Sequence, residues 1–262
     1  MRAIYLISAN TLKEAMRQKL PILVTLLALA LIASSKYFLR LDMGHEQLRF
    51  IFDFGSGAFG FFGSVIAITA ICQLFHSEFE NKTATTLLSR PVRRTDFVFG
   101  KIFGASAALA LFAFAVTLAT GAMLAYTHAA FNSRGANPIP SPNYAGLCVF
   151  ALIQWLKLCA IAAITALVCS ASRSLLFSVV VSFMILAVSL MGYAAFALGG
   201  NPGELARIAS FAFPDFRIFA ESEAFAFAPI DLKAAASAIA YALIYIAAAG
   251  LAASWIFSRR EF

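Results

Sequence analysis

Charge is scarce in this chain. Asp, Glu, Lys and Arg make up 13% of its 262 residues, hydrophobic residues 61%, and mean hydropathy is +0.84. Soluble domains carry about 25% charged residues, so the composition excludes that class. The shortage is sharpest in six apolar runs, 20–39, 54–75, 102–126, 145–169, 175–198 and 234–257, none of which holds an acidic residue. Proton- and sodium-coupled carriers usually keep a carboxylate at that depth, which argues against them. A GxxxxGK[ST] phosphate loop is missing as well, so the chain cannot hydrolyse ATP alone. Cys72, Cys148, Cys159 and Cys169 fall inside apolar runs with no pair at metal-ligand spacing, and read as small packing residues. His45, His76 and His128 are scattered, and no Ser/His/Asp set or carboxylate pair stands in a run. The chain therefore reads as a non-enzyme without catalytic, metal or cofactor residues of its own. Alternating polarity, the mark of a membrane strand, is nowhere present.

What the chain has is length in its apolar runs. A hydrocarbon core about 30 Å thick takes roughly 20 helical residues, and each run supplies that. The expected fold is all-α: a polytopic membrane protein with six transmembrane helices in one domain over 1–262. Residues 1–19 form a further, amphipathic helix. Tyr5, Ala9, Leu12, Met16 and Leu20 repeat at spacings of three and four, with Lys13 and Arg17 off that stripe, as in a helix lying along a membrane interface. The basic start and the lack of a small-x-small site read as a retained first span rather than a cleaved leader.

Lys and Arg set the orientation. With both termini in the cytoplasm, the inner segments hold 12 basic and 5 acidic residues, and the outer ones 7 and 8. That asymmetry matches the positive-inside rule. The pI near 9.4 then reflects the anionic inner leaflet rather than nucleic acid. Among the outer segments, 40–53 is a polar connection, and 132–143 carries Pro138, Pro140 and Pro142, which forbid a helix. The segment 199–231 mixes apolar and acidic residues around Pro214. It fits either a surface loop or a re-entrant piece dipping into the outer leaflet.

Two features inside the runs stand out. Ser56, Gly60 and Ser64 repeat every four residues beside Gly57 and Gly63, giving a face that fits a dimer or pore seam and equally packing within one subunit. Lys157 lies near the middle of the fourth run, three residues after Gln154, so both share a helix face. A lysine there costs about 3 kcal/mol unless it meets a polar surface, and no run offers it an acid. Gln154 and Lys157 are thus candidate cavity-lining residues that would bind a polar or anionic group; a position nearer the interface fits equally.

The most polar stretch is 76–104, HSEFENKTATTLLSRPVRRTDFVFGKIFG. A helix over about 77–88 would present Glu78 and Glu80 outward and Leu87 and Leu88 toward the membrane. Pro91 stops it, Arg93 and Arg94 reach the headgroups, and Asp96 caps the next helix. The run Glu78-Phe-Glu80-Asn-Lys82-Thr83, then Leu87-Leu88-Ser89-Arg90-Pro91-Val92-Arg93-Arg94, then Gly100-Lys101 and Gly104, resembles ABC-2 type permeases, the membrane subunits of ATP-driven exporters. The nearest likeness is to the NosY-like copper-enzyme maturation group. Lys82 stands where glycine is commoner in the family.

The resemblance implies an ATPase-coupling helix within 76–97, with Glu78, Glu80, Lys82, Thr83, Leu87, Arg90, Pro91 and Arg93 as its residues. It implies a separate cytoplasmic ABC ATPase subunit that binds ATP and Mg, and a second permease copy as homodimer or heterodimer. It also implies residence in the cytoplasmic membrane of a bacterium. No nucleic-acid partner is expected, because no basic and aromatic face exists outside the apolar runs. A stand-alone carrier or channel, and a non-transporting scaffold that recruits a soluble protein, are the other classes that fit the polar block.

Overall fold

The computed structural model describes residues 2–38, 47–80, 94–132, 141–172, 174–197 and 214–259. Its elements are all helical: α1 (Arg2–Arg17), α2 (Lys19–Phe38), α3 (Gln47–Glu80), α4 (Arg94–Asn132), α5 (Tyr144–Ala171), α6 (Leu175–Ala197), α7 (Arg217–Ala220), a 3-10 helix η1 (Glu221–Ala226) and α8 (Leu232–Ser258). Among the described residues α2, α3, α4, α5 and α8 are long and apolar enough to cross a membrane. The remaining apolar run forms α6, 23 residues long. The chain is an all-α, multi-pass membrane protein.

Local sequence explains the boundaries. Continuing α1 into α2 would put the Pro21 ring against the Arg17 carbonyl, four residues back, with no N–H to bond it. The helix therefore breaks at Gln18, whose N–H closes the last turn on Ala15 O at 3.2 Å. In the first turn of α2 the missing N–H of Pro21 costs nothing. Asn143 caps α5 by accepting from the Gly146 N–H at 3.1 Å, and Asp231 caps α8 by accepting from the Lys233 N–H at 2.9 Å.

The polar connection expected over 40–53 is instead helical from Gln47 onward. Leu48, Ile51 and Phe52 share a face and are buried against Leu124, Leu147 and Phe150, so packing extends the helix past the apolar run. At the other end α3 runs on to Glu80; the rest of the helix expected over 77–88 lies outside the described residues. Asp96 sits within the first turn of α4 rather than at its cap, where it still complements the helix dipole.

Helix α5 is central, packing on α3, α4, α6 and α8. Phenylalanines fill the spaces between helices. Phe52 meets Phe150 and Phe227 edge-on, and Phe97 stacks on Phe257 at 5.4 Å between ring centres. The glycines of the second apolar run divide between two faces. A side chain at Gly55 would strike Thr120, and one at Gly63 would strike Leu158, whereas Gly57 and Gly60 face open space. The Ser64 hydroxyl bonds Gly60 O at 2.6 Å.

Helix α1 lies along α4, and two glycines allow its approach. A Cβ at Gly100 would stand 2.6 Å from Ile7, and one at Gly104 would stand 2.5 Å from Thr11 and 2.7 Å from the Ser8 carbonyl. Gly104→Leu is expected to undock α1 at a cost of about 1–3 kcal/mol. Tryptic cleavage at Lys13 and Arg17 should speed up at least tenfold in the intact chain; unchanged cleavage would refute the close packing. Beside this contact a cavity of about 270 Å³ opens between α1, α2, α3 and α4, lined by apolar side chains including Met16, Ile22, Leu26, Ala70, Ala108 and Leu111.

Candidate functional site

Most residues of the expected coupling segment, Lys82, Thr83, Leu87, Arg90, Pro91 and Arg93, lie outside the described residues. Glu78 and Glu80 occupy the last turn of α3, and their side chains are not described. What is described is the pair of helix ends on either side of that segment.

Those ends are held by a polar node that the sequence did not reveal. Lys101, in the second turn of α4, is 1% exposed, and its Nζ donates to the Leu74 carbonyl of α3 at 2.7 Å. The same Nζ stands 3.6 Å from Glu14 Oε2 of α1 and 5.7 Å from the centre of the Phe97 ring. Ser77, one turn beyond Leu74, donates to Glu14 Oε1 at 3.0 Å. One carboxylate thus ties three helices together within a few residues of 81–93. A buried ammonium needs this company, because an unpaired charge there would be costly. The available signal was the Gly100-Lys101-Gly104 spacing, which places a lysine between two glycines that admit another helix. Its partner on α1 could not be read without the packing.

The opposite face of α3 carries a second polar contact. Cys72 and Cys169, 97 residues apart in sequence, bring their Sγ atoms to 3.4 Å. His76 Nδ1 lies 3.0 Å from Cys72 O, and since a carbonyl only accepts, Nδ1 carries the proton. These thiols therefore link α3 to α5, beyond the packing role read from sequence. Among the described residues no group of three or more His, Cys, Asp or Glu side chains is placed to hold a metal ion.

Gln154 and Lys157 meet the chain that precedes α8. Buried Gln154 donates from Nε2 to Phe219 O at 3.4 Å, and Lys157 Nζ lies 5.6 Å above the Phe216 ring. The Asp215 N–H donates to the Tyr241 hydroxyl at 2.9 Å, so α5 and α8 together pin the turn that starts at Pro214. No apolar run offers Lys157 an acid, but it has an acidic neighbour outside them: Glu223 of η1 interacts with it electrostatically. The partner comes from outside every apolar run, where a search along the runs could not find it. Burial pushes the Glu223 carboxyl above its ordinary range, Lys157 pulls it back, and Asp53 pushes it further up. Neither Gln154 nor Lys157 lines the cavity beside α1.

The family model described as ABC-2 family transporter protein matches residues 4–262. The chain belongs to the ABC-2 transporter family. No curated protein matches it. The match covers nearly the whole of this ABC-2 chain and includes α1, the polar node and the segment between α3 and α4. Membership makes the protein a membrane transport component of the ABC type. Such components associate with an ABC ATPase. In this ABC-2 protein the helices on either side of that segment, α3 and α4, are tied to α1 by Glu14, Lys101, Ser77 and the Leu74 carbonyl.

Proposed function

We propose that the chain is the permease subunit of an ATP-driven exporter in the cytoplasmic membrane of a bacterium. In this reading six spans place both termini in the cytoplasm, and two permease copies work with two ATPase chains. The motif over 78–94 favours the NosY-like group within the family. The segment 76–97 is the coupling element, and Glu78, Glu80, Lys82, Thr83, Leu87, Arg90, Pro91 and Arg93 supply its contacts and shape. ATP and Mg are bound by the partner, so this chain performs no chemistry of its own.

One observation supports this most. The chain leaves α3 and re-enters α4 at points held to each other and to α1 by Lys101, Glu14 and Ser77. Force applied at 81–93 would therefore move three helices together instead of flexing a loose loop. Gln154 and Lys157 remain candidates for contact with the transported molecule, with Glu223 setting the charge beside them.

Co-expression with an ATP-binding subunit tests the reading. The two chains are expected to co-purify, and Glu80→Arg or Leu87→Asp should lower recovery of the partner at least tenfold while the permease itself remains folded. Failure to pair with any ATP-binding subunit would favour a stand-alone carrier or a scaffold. Full transport by Lys157→Met at normal expression would remove Lys157 from the translocation path.

A further inference from the structure

The cavity beside α1 opens between helices that cross the membrane, so its surroundings are hydrocarbon or another helix. Its volume, about 270 Å³, lies just below the ~300–1,000 Å³ range of small-ligand pockets and suits a single flexible chain. The lining is alanine-rich at its floor, with Ala70 and Ala108, and bulkier at its rim, where Met16, Ile22, Leu26 and Leu111 are exposed.

The neighbouring break between α1 and α2 is basic. Lys13, Arg17 and Lys19 are exposed there, and α2 contains no acidic residue. The one acid of α1, Glu14, is already engaged by Ser77 and Lys101.

We propose that this groove binds one acyl chain of an anionic bilayer phospholipid. The chain lies on Ala70 and Ala108, and the phosphate faces Arg17 and Lys19. Phosphatidylglycerol has both parts; phosphatidylcholine lacks the net charge. The site needs no ATPase, so its failure would leave the permease reading untouched.

The experiment uses the full chain in vesicles containing a phosphatidylglycerol with a photoreactive diazirine in its acyl chain, against the matching phosphatidylcholine. Adducts are mapped by peptide mass spectrometry. With phosphatidylglycerol, labelling is expected to concentrate on Met16, Ile22, Leu26 and Leu111, at least fivefold above exposed Leu243 and Ile244 of α8, which report ordinary lipid contact. Ala108→Phe, which fills the floor, should abolish that excess while α8 labelling is unchanged. Should Ala108→Phe lose its α8 labelling and so its fold, the Arg17→Gln/Lys19→Gln variant decides. It should lower groove labelling by phosphatidylglycerol to the phosphatidylcholine level. Equal labelling of groove and α8 would overturn the proposal, as would indifference to headgroup or peptides cross-linked to a second copy across the groove.

Discussion

Replacing Gly146 by valine is expected to cost roughly 3 kcal/mol or more, enough to remove most folded protein. Gly146 sits in the first turn of α5, under η1. A Cβ there would stand 1.7 Å from the Phe225 carbonyl oxygen and 2.6 Å from its carbon. These are backbone atoms, so no rotamer change relieves the clash, and the 221–228 turn must move away as a unit. Two hydrogen bonds stand in its way. Asn143 N–H donates to Ala226 O at 2.8 Å and Asn143 Nδ2 donates to Ala228 O at 3.3 Å, while the Gly146 N–H orients that amide by donating to Asn143 Oδ1 at 3.1 Å. Displacing the turn also strips Phe227 from Phe52, and Phe219 from beneath Tyr241. Thermal melting of the detergent-solubilised chain measures the loss. Gly146→Ala should lie close to valine, because the first carbon already makes the clash. A valine variant melting within 2 °C of the parent would show that α5 and η1 are not in backbone contact.

The second large effect is an asymmetry between the two ends of one ion pair. Glu14→Ala removes the carboxylate that stands 3.6 Å from the ammonium of Lys101, itself 1% exposed, and that accepts from Ser77. Breaking a buried pair from one side costs about 3–5 kcal/mol. The Glu14 side chain is 34% exposed, and solvent screening there brings the expected cost to about 2–3 kcal/mol. Lys101→Met keeps the volume and removes the charge that needs a partner. It leaves Glu14 with Ser77 and partial hydration, so its cost should be less than half as large. The double variant should melt above Glu14→Ala alone. Denaturation midpoints of the three variants decide the matter. Equal losses from the single changes would refute the asymmetry, and no loss from either would mean that α1 is held by packing at Gly100 and Gly104 alone.

The membrane-spanning helices were legible because burial in hydrocarbon demands long runs without charge, and composition reports such runs directly. Their true ends were not. Gln47–Asp53 looks like a polar connection, yet Leu48, Ile51 and Phe52 fall on one face and pack. Four apolar residues in seven, with Phe50 off the face of the other three, leave too weak a pattern to outweigh Arg49 and Asp53. Single-helix signals such as Pro21, Asn143 and Pro142 mark boundaries well, because each acts on its own backbone. Pairings across helices are another matter. Glu14 with Lys101, Cys72 with Cys169, and Lys157 with Glu223 depend on helix rotation and on which helices touch, and neither is written in the spacing of one run. The family motif drew attention to 76–104, while the described geometry lies mainly to either side of it.

At 1.5 Å per residue α4, with 39 residues, is about 58 Å long, and α3, with 34, about 51 Å. The hydrocarbon core is only about 30 Å thick, so nearly half of α4 stands outside it. A stiff rod gripped at mid-length by a fluid sheet behaves as a lever with the bilayer as fulcrum. A sideways push at the foot, where Lys101 and Glu14 bind the rods to α1, swings the far tips the opposite way. The lever carries Leu124 at its far arm, packed on Leu147 and Phe150 of α5. Opening at one surface and closing at the other would then be a single motion, and no separate gate would have to be built for each side.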